Sequence, residues 1–350
     1  MEIDRDDFGA RQAEMTARWF ENVKATHGDV DAYIATRWAA YLDRWREAAR
    51  FIADGARVLD VGGGNLFPPL VEFLRERGFR YAYLDVDPLC VEGSRNLARS
   101  LGLEGAVFEH GYNDALPFPD ASFDAIFSSH CIEHSIDLAR TFAELNRVLA
   151  PGGNLLMAVP FGWEDNPEHP YFLAPEDWIS LVTDAGFAIR VAQVGCEYPE
   201  LGYDYFIAAR KVSPPKLSRL DPADYRKTRY RFVPWNDPAI TCHGAKAEQG
   251  DHVILLDDWR VEITVPDTAR EILAVTHCHE WSGTIELASG DTRVIQDLSS
   301  WFPYVRPVRL TLPQAPSRVT IRCRGRNPSS HASQCVLSGV MIREAGAAGA

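Results

Sequence analysis

No stretch of this 350-residue chain approaches the roughly 20 consecutive apolar residues that a membrane-spanning helix needs, so no membrane span is expected. Cysteines number seven, an odd count: Cys90, Cys131, Cys196, Cys242, Cys278, Cys323 and Cys335. No pair has C-x-x-C spacing, so neither a disulfide framework nor a zinc knuckle is expected, and no metal set is predicted. The opening Met-Glu-Ile-Asp-Arg-Asp-Asp lacks the basic-then-apolar order of a secretory leader, which with the scattered thiols predicts a cytoplasmic protein. Positive charge is scarce in the first part. Residues 1–212 carry 19 Lys+Arg against 34 Asp+Glu, a net of −15, whereas residues 213–350 carry 17 against 15, a net of +2. Nucleic-acid phosphates need a basic footprint, so the acidic first part argues against a nucleic-acid substrate. Internal repeats are absent.

What is present begins with Arg57-Val58-Leu59-Asp60-Val61-Gly62-Gly63-Gly64-Asn65. A short apolar run meets an acid and three glycines, as when a buried parallel strand ends in a turn whose N–H groups lie against a ligand. Taken alone, such a turn is equally well a tight strand-to-helix connection. A second strand, Tyr81 to Pro88, ends in Asp85 about 20 residues after the glycines, where a carboxylate in a doubly wound fold accepts from ribose hydroxyls. A third segment, Leu116 to Ser129, is a turn feeding a buried strand and runs into His130-Cys131-Ile132-Glu133-His134. A helical stretch then ends at Pro151-Gly152-Gly153, and another apolar strand follows from Asn154 to Pro160.

These residues resemble the class I S-adenosylmethionine-dependent methyltransferases, in particular the group typified by ubiquinone and menaquinone biosynthesis enzymes. The resemblance covers roughly residues 55–212. It implies S-adenosylmethionine as cofactor, with Asp60, Gly62 and Gly64 at its methionine end, Asp85 on the ribose and Val86 beside adenine. Two departures stand out. Leu66 replaces a usual third glycine, and Gly111 is followed by Tyr112 where the family has Asp, which passes adenine recognition to Asn113, Asp114 or backbone. Ser128, ending the fourth strand, completes the expected cofactor set. An acidic first half is compatible with a sulfonium ligand, although a solvated surface explains the charge as well. A dehydrogenase is the rival on fold grounds, but G-x-G-x-x-G fails at Phe67.

Methyl transfer is an in-line displacement in which the cofactor brings the reactive group and the protein aligns donor and acceptor. A hydroxyl acceptor must also lose a proton, and histidine is best poised near neutral pH. His130 and His134 sit just past the fourth strand, and His169 lies on a loop after the fifth, with Asp165 and Glu168 nearby; these are the candidate bases. For His134 the bland alternative is a loop brace. His130 to His134 also spells H-x-x-E-H, a zinc-peptidase pattern, read as coincidence because it follows a strand. His277 and His279 are read as a polar sheet face rather than a metal pair.

Five segments are expected. Residues 1–54 form a helical cap, with Trp19, Phe20, Val23, Trp38, Tyr41, Leu42 and Trp45 at helical spacing; it is buried on the next domain, or walls a substrate pocket. Residues 55–212 form a Rossmann-like, doubly wound, mostly parallel α/β sheet, closed by Ala188–Val194 and Tyr205–Arg210 as an antiparallel pair. Residues 213–238, rich in proline and arginine, form a linker. Residues 239–345 alternate in short runs and form an all-β sandwich, jelly-roll-like. Residues 346–350 are a disordered tail. Trp281, Trp301, Phe302 and Tyr304 either pack the sandwich or stack on sugars. The expected activity is methylation, at oxygen, of a small molecule or glycan, with homo-oligomerisation possible. The alternative is a non-catalytic binding or scaffold protein whose sandwich recognises carbohydrate or a partner.

Overall fold

The computed structural model describes residues 5–26, 29–164, 166, 168–195, 203–215, 221–312 and 318–345. The chain divides into two compact units, Met1–Pro160 with Glu176–Pro222, and Phe161–Pro175 with Ala223–Ala350.

The first unit opens with helices α1 (Arg5–Thr26) and α2 (Val30–Ala48). The glycine-ended run becomes β1 (Arg57–Val61), with Val58, Leu59 and Val61 fully buried. Then follow α3 (Pro68–Glu76), β2 (Arg80–Asp85), α4 (Pro88–Ser100), β3 (Val107–His110) and β4 (Phe123–Ser129). The unit closes with α5 (Leu138–Val148), β5 (Leu149–Val159), α6 (Pro175–Asp184), β6 (Phe187–Gly195) and β7 (Asp204–Lys211). Helix starts follow local chemistry. Prolines 68 and 88 occupy first-turn positions where no N–H is needed, and the Asp87 and Asp137 carboxylates accept from Leu89 N and Arg140 N.

The strand order is β3-β2-β1-β4-β5-β7-β6. The first five strands are parallel, and β7 runs antiparallel to both β5 and β6. This is the expected doubly wound α/β sheet with its antiparallel close. Order reverses between β1 and β4, so the carboxyl ends of β1, β2 and β4 open on one crevice, where ligands bind in such sheets. The inner face of α2 meets that sheet: Tyr41, Leu42, Trp45 and Ala48 are buried, and the Trp45 ring lies 4.3 Å from Phe127. Trp38 stacks on Phe67 at 5.2 Å, and the side chains of Trp19 and Phe20 lie outside the described residues. Pro151-Gly152-Gly153 does not precede the fifth strand but sits inside it, as an irregularity opposite Phe123 and Ala125. Among the described residues no helix is long and apolar enough to cross a membrane.

The second unit is an antiparallel β domain. Its strands are β8 (Arg231–Pro234), β9 (Ile240–Gln249), β10 (His252–Thr264), β11 (Ala269–Cys278), β12 (Thr284–Ser289), β13 (Thr292–Asp297), β14 (Tyr304–Thr311), β15 (Arg318–Gly325) and β16 (Cys335–Glu344). They pair in the order β13-β12-β15-β10-β16-β11-β14, with β8 on β16 and β9 on β10. Ile285, Leu287 and Ile321 from one end of this path share a core with Ile272, Val308 and Leu310 from the other, so the sheet closes over on itself. His252–Thr264 is one strand broken by a bulge between Leu256 and Arg260, with Asp258 at φ +41. The stretch read as a linker contributes β8, whose Val233 is core. Phe172 from the 161–175 segment packs with Leu273, Val275 and Met341.

Candidate functional site

At the crevice edge, Gly62 and Gly64 both adopt left-handed backbone, at φ +71 and +62, which a residue with a Cβ enters only at a cost. The Gly62 N–H donates to the Leu84 carbonyl at 2.8 Å, tying the turn to β2. A Cβ at Gly62 would fall 2.2 Å from the Cys131 Sγ, whereas one at Gly64 would meet nothing within 4 Å. Gly64 therefore faces open space. Beneath the turn, Asp60 is fully buried and accepts from the Tyr81 hydroxyl at 2.7 Å and the Tyr41 hydroxyl at 3.5 Å. A side chain at Gly63 would run into that carboxylate at 2.6 Å. Asp60 thus supports the turn from below. Burial, together with the Asp60 charge, pushes the Tyr81 hydroxyl well above its ordinary range, so it remains a donor.

Asp85 ends β2 and accepts from Gly64 N at 3.2 Å, the Tyr83 hydroxyl at 2.9 Å and Asp87 N at 2.9 Å. Burial pushes its carboxyl above the usual value, while these donors pull it back. Val86 is half-buried, and a Cβ at Gly9 of α1 would lie 3.6 Å from it and 3.0 Å from the Tyr112 hydroxyl. Phe8 lies tilted against the Tyr112 ring at 6.4 Å. The first helix thus reaches the side of the site expected to take adenine. Asn113 is committed to protein: it donates to Ser135 Oγ at 3.0 Å and accepts from Thr141 Oγ1 at 3.1 Å. Asp114 is buried, and Ser128 donates to the Val61 carbonyl at 3.0 Å, bracing β1 against β4.

His130 follows β4 in left-handed backbone, at φ +49. A non-glycine residue is seldom held there, and such outliers cluster at functional sites. Its Nε2 lies 3.7 Å from Asp204 and its Nδ1 3.7 Å from Glu133, both carboxylates being buried. His134 Nε2 lies 3.9 Å from the same Glu133, in a 3-10 turn rather than a helix, which does not suit the zinc-peptidase pattern. Asp204, at the start of β7, also takes a two-point bond from Arg44 of α2, at 2.6 and 2.8 Å. Burial alone would raise the Asp204 carboxyl; His130 and Arg44 outweigh it and hold it below the usual carboxylate range. The Arg44–Asp204–His130 chain was not read from the sequence. Its one signal is an arginine on the aromatic face of α2.

In the second unit, His169 Nδ1 meets the Glu164 carboxylate. Asp165 lies outside the described residues. The four aromatics divide: Trp281 and Trp301 are exposed at 47% and 74%, while Tyr304 packs against the core and Phe302 stacks on it at 5.4 Å.

Residues 59–157 match the family described as a methyltransferase domain. The ubiquinone/menaquinone biosynthesis C-methyltransferase of Enterobacter sp. (strain 638) is 28% identical over 151 residues, covering 42% of this chain and 60% of that protein. An uncharacterized methyltransferase of Bacillus subtilis (strain 168) is 32% identical over 114 residues, covering 31% and 42%. A solved S-adenosylmethionine-dependent methyltransferase from Aquifex aeolicus has a TM-score of 0.41 at 23% identity, over 49% of this chain and 90% of that one. The chain spans 60% and 42% of the length of these two curated relatives. The matched segment is a class I S-adenosylmethionine-dependent methyltransferase domain, and S-adenosylmethionine is the cofactor such a domain uses.

Proposed function

We propose that this chain, built on a class I methyltransferase domain, moves a methyl group from S-adenosylmethionine to an oxygen of a small, sugar-containing acceptor. The observation that carries the cofactor reading is the open left-handed Gly64 with its N–H on Asp85. Bare backbone there admits the methionine end of the ligand, and the Asp85 carboxylate stands ready for ribose hydroxyls. Asp60, Tyr81 and Tyr41 hold the turn in that shape before anything binds, so little ordering is left to the binding step. Val86 and Tyr112 offer apolar surface for the adenine ring. These residues fit the cofactor, which when bound supplies an electrophilic methyl on a sulfonium.

The protein's own chemical part is the proton. An acceptor hydroxyl in line with that methyl becomes nucleophilic as it loses its proton, and His130 is the residue proposed to take it. Glu133 and Asp204 flank the ring and stabilise the imidazolium that results, while Arg44 fixes Asp204. His134 and His169 remain proposed alternates. Calorimetry of the full chain with S-adenosylmethionine tests the cofactor reading. Asp85→Ala should weaken binding about 10- to 100-fold, since bonds to a charged group contribute about 1.5–3 kcal/mol; unchanged affinity in a folded variant refutes the ribose role. Tritiated-methyl transfer to sugar acceptors tests the rest. His130→Ala should cost about 10²–10⁴ in turnover with cofactor affinity intact.

A second reading, binding without transfer, draws support from Trp281 and Trp301 of the second unit, exposed at 47% and 74%, which suit recognition of a carbohydrate or a partner. It predicts cofactor binding with no acceptor labelled.

A further inference from the structure

The second unit carries a row of side chains that core packing does not explain. Ile295 of β13 stands opposite Glu286 of β12, Glu286 opposite Arg322 of β15, Arg322 opposite Arg260 of β10, and Arg260 opposite His243 of β9. Directly opposed residues in an antiparallel sheet point to the same face, so the row crosses five strands on one surface. At about 4.8 Å per strand it is about 19 Å long.

Two features mark it as more than a solvated face. Like charges directly opposite each other destabilise a sheet, yet Arg260 faces Arg322, with Arg318 and Arg324 beside them; all four side chains are between 45% and 65% exposed. The carboxylate among them is also out of the ordinary. Glu286 is only 2% exposed, its Oε1 meets Arg322, and its Oε2 has no hydrogen-bond donor, with the Arg324 Nε 3.5 Å away. A buried carboxylate oxygen without a donor is costly. Glu262 plays the matching part for Arg260 and Arg318, at 2.8 and 3.0 Å. Ile295, 53% exposed, ends the row with apolar surface.

We infer that this face binds a carboxylated saccharide chain. Guanidinium groups recognise carboxylates through paired N–H donors, the buried Glu286 anchors the Arg322 and Arg324 head groups that present those donors, and Ile295 meets the C–H face of a ring. A polyphosphate would use the arginines but offer Ile295 no apolar surface. The strand spacing suits successive sugars of a chain laid across the sheet. This assignment concerns the second unit alone and does not rest on the methyltransferase reading.

The test uses the full chain and three polymers in low salt: polygalacturonate, neutral dextran and single-stranded DNA. Polygalacturonate should bind, dextran should not, and DNA of equal charge should bind at least ten-fold more weakly than polygalacturonate. Arg260→Gln with Arg322→Gln should weaken polygalacturonate binding at least ten-fold. Ile295→Asp, a surface change that leaves the thermal midpoint in place, should weaken it severalfold. S-adenosylmethionine affinity, read in parallel, should stay constant in all variants, so failure here and failure of the first unit's reading are told apart. Absent polygalacturonate binding, unchanged binding in both variants, or DNA binding as tight as polygalacturonate would each overturn the proposal.

Discussion

Gly62 and Gly64 share a backbone conformation but differ in surroundings, and substitution should separate the two effects. Gly62→Val places a branched side chain into Cys131, 2.2 Å away at its first carbon, so calorimetry should show S-adenosylmethionine binding abolished. Gly64→Ala meets no atoms and carries only the left-handed penalty, roughly 1–2 kcal/mol. Another titrating residue has a sharper signature. His277 is mostly buried against Ser338 and the His252 ring, and burial, aided by His252 and His279, lowers it to about 4. The unfolded chain takes up that proton near the ordinary 6.5, so between these values unfolding binds a proton and stability rises with pH. The contribution is full above about 6.5 and is lost as pH falls through about 4, worth on the order of 3 kcal/mol. Thermal melts between pH 7 and 4 should lose much of their acid sensitivity in His277→Gln. Residue by residue, the sequence announced what spacing encodes. Asp85 was legible because strand, glycines and acid lie a fixed distance apart. The tyrosines that take up Asp60, and the bonds that commit Asn113 and Ser128 to the protein, depend on contacts between strands that no spacing records.

At the scale of elements, α2 docks through an unusual combination: an aromatic face with a buried arginine reaching Asp204 across 160 positions of sequence. Removing the cation leaves a buried carboxylate with the more distant His130 ring at 3.7 Å; breaking a buried pair costs up to about 3–5 kcal/mol, whereas replacing both partners with apolar residues of similar size is often neutral. Arg44→Met should therefore lower the thermal midpoint strongly, and Arg44→Met with Asp204→Leu should recover most of it; an equal loss in the double variant would show that the abandoned carboxylate is not what destabilises the single one. Elements were legible where periodicity was strong, as in β1, β2 and the α5 helix. They were lost where a strand is short or interrupted. Arg231–Pro234 has four residues and a proline, and β10 changes register between Leu256 and Arg260, which reads in sequence as two separate runs.

For the whole molecule, the change from α/β to all-β patterning was visible, but the path of the chain between the units was not. The segment 161–175 belongs with the second unit, where Trp163 N and Phe172 N donate to the Val305 and Tyr225 carbonyls and Lys227 N to the Pro170 carbonyl. Apolar residues such as Trp163, Phe172 and Leu173 in a connection after β5 resemble any buried loop, so composition could not assign them. A chain ending near Val212 would strip these residues of their partners. It should aggregate, whereas one that also replaces 161–175 with a short polar loop should stay monomeric and bind S-adenosylmethionine; light scattering and calorimetry distinguish the two. The same path makes the two units cross-stitched: the backbone passes from one to the other at 160, back at 175 and across again at 222. A protease cut at the first seam therefore frees neither part. The piece ending at residue 160 keeps β5 zipped to β7 on the other fragment, so the nicked protein should travel as one species on a native gel and fall into two bands only in detergent.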